Sequence, residues 1–345
     1  MFNKSKIILP PAERIRKILI IGHSNIGDIA TDTLFLKPLA RQYPRARIYF
    51  STSPRAREMA SCYRGVHQII VLDKKGAHRG FLGRVRFHQE MAREQFDLVI
   101  VLVKTFMHFF LRPAYCWDIR RMYAADYKNK SVHPVDVYLK FIHSSGLPLD
   151  QDWFDFNFES ESVFCEGFLA RHGINPGDSL VGILPLAAWG LKNWPIKKWN
   201  ALAKRLKEER GLKTIAFGKT SGDFVGQEVL DNISPDIISA IDQLTLKQSL
   251  FLISQCKFFI GPDSSLLHIA SNLRVETIGL YGPTPPDYVY PYFHRENLIV
   301  ARNIPTQYIC SKDPYSCACR EEKLPSPCMD SISVENVFEA VVSQM

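Results

Sequence analysis

Three short stretches carry residues whose types and spacing could move a proton or hold a phosphate. The first, Gly22-His23-Ser24-Asn25-Ile26-Gly27-Asp28, follows the apolar run Lys17–Ile21 (KILII). Its G-x4-G spacing matches the opening of a phosphate-cradling P-loop, which continues with Lys and then Ser or Thr. Here Asp28 and Ile29 stand at those positions, and a carboxylate repels a triphosphate. The dinucleotide pattern G-x-G-x-x-G also fails, because Ser24 occupies the middle glycine position. What remains is a tight turn that presents a carboxylate at the end of a strand. Gly27 allows another molecule to approach closely, or an unusual backbone angle. Asp28 is suited to act as general base on a substrate hydroxyl, and its structural alternative is to cap the helix that follows.

The second stretch, residues 257–281 (KFFIGPDSSLLHIASNLRVETIGLY), reads as strand, turn, helix, strand. The turn lies at the carboxyl end of a strand, where parallel α/β sheets bind ligands. Free backbone N–H groups and the positive end of the helix dipole there suit a phosphate. Ser264 and Ser265 add hydroxyls, and His268 shares a helix face with Ser264. Taken alone, capping by Asp263 and Ser264 is the better reading. The third stretch, residues 185–195 (PLAAWGLKNWP), places Lys192 between Trp189 and Trp194 on a loop before a helix that opens near Pro195. Lys192 suits a diphosphate as a point charge, and core packing is the better assignment for each tryptophan. A carboxylate in one half, and a Lys with a helix N-terminus in the other, fit transfer from a nucleotide-diphosphate donor to a hydroxyl acceptor.

These stretches need a scaffold of alternating strands and helices. In the first half, strands are expected at 17–21, 48–51, 68–72 and 98–103. Helices are expected at 28–43, kinked by Pro38, and at 55–62, 82–95 and 133–145. The aromatic and basic segment 105–127 resists assignment. Residues 150–161 alternate acidic and aromatic side chains and form a boundary, followed by a short helix at 162–172. A second series expects strands at 180–184, 213–217, 237–241, 258–260 and 277–280. Its helices are expected at 197–209, 223–231, 245–255, 265–272 and 334–342. Alternation of this kind argues for doubly wound α/β domains.

At 345 residues the chain is long enough for two cores. Apolar residues make up 46% and charged residues 23%, as in soluble globular proteins, and no run reaches the length of a membrane span. The apolar patch at 7–9 is broken by two prolines and is too short for a signal-peptide core, so a cytoplasmic protein is expected. Charge is uneven. Residues 1–150 hold 25 Lys/Arg against 12 Asp/Glu, and the remainder 18 against 23. A basic first half suits a polyanionic partner such as anionic lipid or a phosphorylated glycan. Nucleic acid is the weakest of these partners, since no recognised module appears. Cys62, Cys116, Cys165 and Cys256 are scattered and read as buried and inert, whereas Cys310, Cys317, Cys319 and Cys328 cluster in a spacing that is not a standard zinc pattern.

Taken together, the motifs resemble glycosyltransferase family 9, the family of the ADP-heptose:lipopolysaccharide heptosyltransferases. The matching residues are Gly27-Asp28 after the KILII strand, Lys192-Asn193-Trp194-Pro195, Gly261-Pro262-Asp263-Ser264-Ser265 with Leu267-His268, Leu280-Tyr281-Gly282-Pro283-Thr284, and the tail Cys328-Met329-Asp330-Ser331-Ile332. The resemblance implies a GT-B fold of two Rossmann-like domains facing a central cleft, with residues 1–160 binding acceptor and 161–345 binding donor. It implies inversion at the anomeric carbon, with no metal or other cofactor required. By that analogy Asp28 is the general base, beside Gly27 and Asn25 in the acceptor loop. Lys192, Asp263, Ser264, Ser265 and His268 bind the donor, expected to be ADP-heptose. The acceptor is expected to be a lipopolysaccharide core or related anionic glycolipid, met by peripheral contact with the inner-membrane surface. Asp32 is a competitor for the base role. His23 and Asp32 also leave open a sugar epimerase, and a non-catalytic nucleotide-sugar binding protein is a further alternative. The segment 217–223 stands where the family has a Gly-rich turn leading to an acidic residue.

Overall fold

The computed structural model describes residues 9–128, 132–220, 224–287, 289–302 and 326–345. The chain divides into two compact units, Met1–Asn157 and Phe158–Met345.

In the first unit the strands are β1 (Lys17–Ile21), β2 (Arg47–Thr52), β3 (Val66–Val71), β4 (Leu98–Val101) and β5 (Tyr115–Asp118). They form one parallel sheet in the order β3-β2-β1-β4-β5. The helices are α1 (Ile26–Asp32), α2 (Leu36–Gln42), α3 (Arg57–Ser61), α4 (Gly80–Arg93), α5 (Met107–Leu111), α6 (Ile119–Met122), α7 (Ala124–Lys128) and α8 (Pro134–Ser145). The central strands read as unbroken apolar runs because both of their faces are covered; every residue of β4 is buried. On one face Leu19, Tyr49, Val99 and Val101 meet Phe87 and Met91 of α4 and Met107 and Leu111 of α5.

The helix expected at 28–43 is instead two helices joined by the 3-10 turn Thr33–Phe35. Pro38 explains the position of the break. It has no N–H for the carbonyl of Leu34, and its ring crowds that carbonyl, so the chain tightens one turn before the proline itself. Leu34, Phe35 and Leu39 are buried as the helical spacing requires. Segment 105–127 holds α5, β5, α6 and the start of α7. Gly146 closes α8 in the left-handed region at φ 77°. The acidic and aromatic boundary segment lies back on this unit, with Phe156 paired to Tyr63 across a single antiparallel bridge and Asp155 ion-paired to Arg64.

The second unit has β6 (Leu180–Ile183), β7 (Lys213–Ala216), β8 (Ile237–Ser239), β9 (Cys256–Pro262), β10 (Glu276–Tyr281) and β11 (Leu298–Val300). They are parallel, in the order β11-β10-β9-β6-β7-β8. Around them lie α9 (Ser162–Arg171), α10 (Ile196–Arg210), α11 (Phe224–Asn232), α12 (Leu246–Ser254), α13 (Ser265–Asn272), α14 (Pro327–Ser331) and α15 (Val334–Ser343). Both strand orders are those of doubly wound Rossmann-like sheets, in which the order reverses beside the first strand. The reversal falls between β1 and β4 in the first unit and between β6 and β9 in the second. In each unit the loops leaving those two strands at their carboxyl ends open a crevice suited to ligands.

Cys62, Cys165, Cys256 and Cys328 are buried thiols. Cys116 is exposed, which corrects the expectation for the four scattered cysteines: it sits on β5, an edge strand, with no further strand beyond it among the described residues. Cys310, Cys317 and Cys319 lie outside the described residues. No helix among the described residues is long and apolar enough to cross a membrane.

Candidate active site

The predicted residues fall on the loops at the two reversal points. After β1 the backbone turns at Gly22, which has room for no side chain: a Cβ there would lie 2.6 Å from the Phe50 ring and 2.8 Å from Asp32 Oδ2. The loop is then pinned from β2 and its exit, where Thr52 Oγ1 donates to the His23 carbonyl (2.6 Å) and Ser53 Oγ to that of Ser24 (2.8 Å). Asn25 is the N-cap residue of α1 by position, but its side chain makes no cap. Its amide donates instead to Asp28 Oδ2 at 3.0 Å. Asp28 is exposed on the first turn of α1 and does not cap the helix. Gly27 lies in the same turn and takes no left-handed angle.

Asp32 behaves differently. It is fully buried and accepts from the His23 backbone N–H (2.7 Å), from His23 Nδ1 (2.9 Å) and from the Tyr138 hydroxyl (2.9 Å). Burial pulls the His23 pKa down, but the Asp32 charge and hydrogen bond outweigh it, with Asp28 adding to them, and the imidazole rises to about 9. Below that pH the His23 ring is an imidazolium held against Asp32. Asp32 has no exposed surface for a substrate proton, which removes it as a competitor to Asp28 and undercuts the His23–Asp32 acid–base pair that an epimerase would need.

Beside this loop the first unit holds a half-open cavity of about 640 Å³. Gly22, Ser24 and Asn25 line it on one side, and Arg55, Lys74, Lys75 and Lys104 supply positive charge. Sequence reasoning missed these four basic residues and the pinning pair Thr52 and Ser53. Thr52 is the last residue of β2 and the others sit one to four residues beyond the carboxyl ends of β2, β3 or β4, so counting outward from each parallel strand would have found them.

In the second unit, Lys192 ends a short 3-10 turn, Gly190–Lys192. Asn193 Oδ1 accepts from the Ala187 N–H at 2.7 Å and closes this loop on itself. Trp194 is core, donating through Nε1 to the Ile332 carbonyl (3.1 Å) and packing edge-on against Trp199. Trp189 is half-buried, and the Lys192 ammonium lies 5.8 Å from its ring centre, so only one of the two flanking tryptophans fills core. Lys192 Nζ reaches the Asp263 carboxylate (2.5 Å) and carbonyl (3.0 Å), and His268 Nε2 meets the other carboxylate oxygen at 2.9 Å. Burial opposes charge on Asp263, but His268 and Lys192 together prevail and hold its carboxyl well below the usual range.

The Asp263 side chain is thus taken up by Lys192 and His268, and Ser264, the N-cap residue of α13, makes no side-chain cap. The capping alternative fails at both residues. The first N–H groups of α13 are left for a ligand, with Lys192 fixed close by through Asp263. Of segment 217–223, Thr220 donates to both oxygens of Asp242, and residues 221–223 lie outside the described residues. Among the described residues no group of three or more His, Cys, Asp or Glu side chains is placed to hold a metal ion.

Two Rossmann-like units of this kind are shared with known proteins. The chain belongs to glycosyltransferase family 9 (heptosyltransferase), whose sequence profile matches residues 84–317, and it is a glycosyltransferase of the GT-B fold. It is 25% identical over 309 residues to lipopolysaccharide heptosyltransferase 2 of Salmonella typhimurium, a match that covers 82% of this chain and 87% of that protein. Among solved structures, the family 9 glycosyl transferase of Veillonella parvula superposes with a TM-score of 0.75 at 20% identity, over 95% of this chain and 96% of that one. The ADP-heptose lipopolysaccharide heptosyltransferase II of E. coli superposes with a TM-score of 0.67 at 20% identity, over 95% and 98%.

Proposed function

We propose that this chain moves a heptose from ADP-heptose, with inversion at the anomeric carbon, to a hydroxyl of a lipopolysaccharide core or a related anionic glycan on the cytoplasmic side of the membrane. The donor and the acceptor class follow those named for its relatives in Salmonella typhimurium and E. coli. The observation that carries the chemistry is the exposed Asp28 carboxylate, held by Asn25, which itself lines a basic cavity beside the reversal point of the first sheet.

In this reading the first unit takes the acceptor and the second the donor. Asp28 withdraws the proton of the acceptor hydroxyl as its oxygen bonds to the anomeric carbon from the face opposite the diphosphate. The bond from that carbon to the diphosphate oxygen breaks, and ADP leaves with the electron pair. Positive charge develops on the sugar, as in glycoside hydrolysis, and negative charge on the leaving group. Lys192, the N–H groups of α13, the hydroxyls of Ser264 and Ser265, and His268 stabilise that negative charge. Asp263 serves by holding Lys192 and His268 in place, and the chemistry calls for no metal or cofactor.

The test is ADP release from ADP-heptose in the presence of a lipid-linked acceptor, wild type beside Asp28→Ala. Acceptor-dependent release should fall by about 10²- to 10⁴-fold, the range for loss of a general base, while ADP-heptose binding stays unchanged. Undiminished turnover in the variant would sink the base assignment, and no binding of ADP-heptose to the wild type would sink the donor.

A further inference from the structure

Helices α4 and α5 pack on each other and bury Phe87, Met91, Met107 and Leu111. Their remaining apolar side chains face outward: Phe81, Leu82, Phe106, Phe109 and Phe110 are between 59% and 81% exposed. That is a large apolar surface to leave in water. It is also ordered, since Phe110 stacks on His88 with ring centres 5.1 Å apart and Phe106 stacks on Phe109. The surrounding charge is one-sided. Residues 74–121 contain 10 Lys/Arg against 4 Asp/Glu. Three of those four acids are engaged elsewhere: Glu94 pairs with Lys17, Asp97 accepts from the backbone of Arg16 and Lys17, and Asp118 caps α6. Lys74, Lys75, Arg84, Arg86, Lys104 and Arg112 are all exposed. Arg112 even holds a left-handed backbone angle, φ 45°, where glycine or asparagine would sit with less strain.

We propose that the α4–α5 face of the first unit is a docking surface for an anionic lipid bilayer. Aromatic and aliphatic side chains at the headgroup boundary, ringed by Lys and Arg, are the chemistry by which interfacial helices bind such surfaces. Charge decides against a second copy of the chain as occupant, because two such faces would set like charges against each other. Continuity with the cavity supports the bilayer: Lys74, Lys75 and Lys104, exposed beside this face, line that cavity as well. In this last respect the inference rests on the proposed function, for an acceptor headgroup in the cavity would keep its lipid within the bilayer.

The experiment is flotation of the full chain with phosphatidylglycerol/phosphatidylethanolamine vesicles and with phosphatidylcholine vesicles, without substrate, for wild type and a Phe81→Ser/Phe109→Ser double variant. Wild type should float with the anionic vesicles and be released by high salt, and the double variant should bind roughly tenfold more weakly or worse. The variant should retain wild-type transfer to a soluble, delipidated acceptor and a wild-type unfolding curve. Wild type that fails to float, a variant that floats equally well, or sedimentation that shows a wild-type dimer dissociated by the double substitution would each overturn the proposal. Docking without heptose transfer would sink the function and leave the surface standing, and transfer without docking would do the reverse.

Discussion

Replacing Asp32 by Asn should destabilise the first unit by an amount that depends on pH. Asp32 is fully buried and takes hydrogen bonds from the His23 backbone, the His23 ring and Tyr138. Despite burial, this pairing lifts His23 from 6.5 to about 9. A folded-state pKa above the unfolded value means the contribution is fully present below pH 6.5 and fades as pH rises through about 9. The span corresponds to ~3 kcal/mol at 1.36 kcal/mol per unit, and solvent at the half-buried imidazole trims it to ~2 kcal/mol. In Asp32→Asn the charge is gone and only the weaker pull of Asp28 opposes burial, so His23 loses most of its upward shift. The stability gap between wild type and variant should therefore be widest near pH 6 and narrower by ~2 kcal/mol near pH 9.5. The part that persists at high pH reports the buried hydrogen bonds that an amide cannot reproduce. Urea unfolding of both proteins across this range measures the gap, and NMR titration of ring-labelled histidine reads His23 directly. A gap of equal size at pH 6 and pH 9.5, or a wild-type His23 that titrates near 6.5, would refute the reasoning.

Two further substitutions probe the second unit and the first turn. Lys192→Ala should weaken ADP binding by about 10- to 100-fold, the loss of one charge-assisted contact at 1.5–3 kcal/mol, as measured by calorimetry. An unchanged dissociation constant would remove Lys192 from the donor site. Gly22→Ala forces a methyl against Phe50 and the Asp32 carboxylate. It should cost ~1–3 kcal/mol and lower the His23 pKa together with stability, whereas a wild-type melting curve would show that Phe50 gives way freely.

Strands with both faces covered were the most legible part of the sequence, because their apolar runs need no partner to be recognised. KILII, LVIV and LVGI all stand where their composition places them. Two of the four edge strands were not legible: YCWD and LIV are too short and too exposed to leave a pattern, whereas VHQIIV and IIS at the opposite edges were found. The candidate site was visible residue by residue but not as contacts. Nothing local to Lys192 announces Asp263, 71 positions later, as its partner. Likewise nothing near Asp32 separates it from Asp28, since only β1's turn back over α1 and a tyrosine far along the chain bury one carboxylate and leave the other exposed.

That tyrosine has a consequence for biosynthesis. Tyr138 stands 106 residues after Asp32, on the last helix before the boundary segment, so the first helix of the protein cannot close its buried charge until α8 has left the ribosome. A nascent chain halted before residue 134 would hold a desolvated or water-filled Asp32 and a loosely seated α1. The unit should fold late and as a whole rather than growing strand by strand. Its amino-terminal third would then be the segment most exposed to chaperones and proteases during synthesis, although it carries the residue on which the proposed chemistry turns.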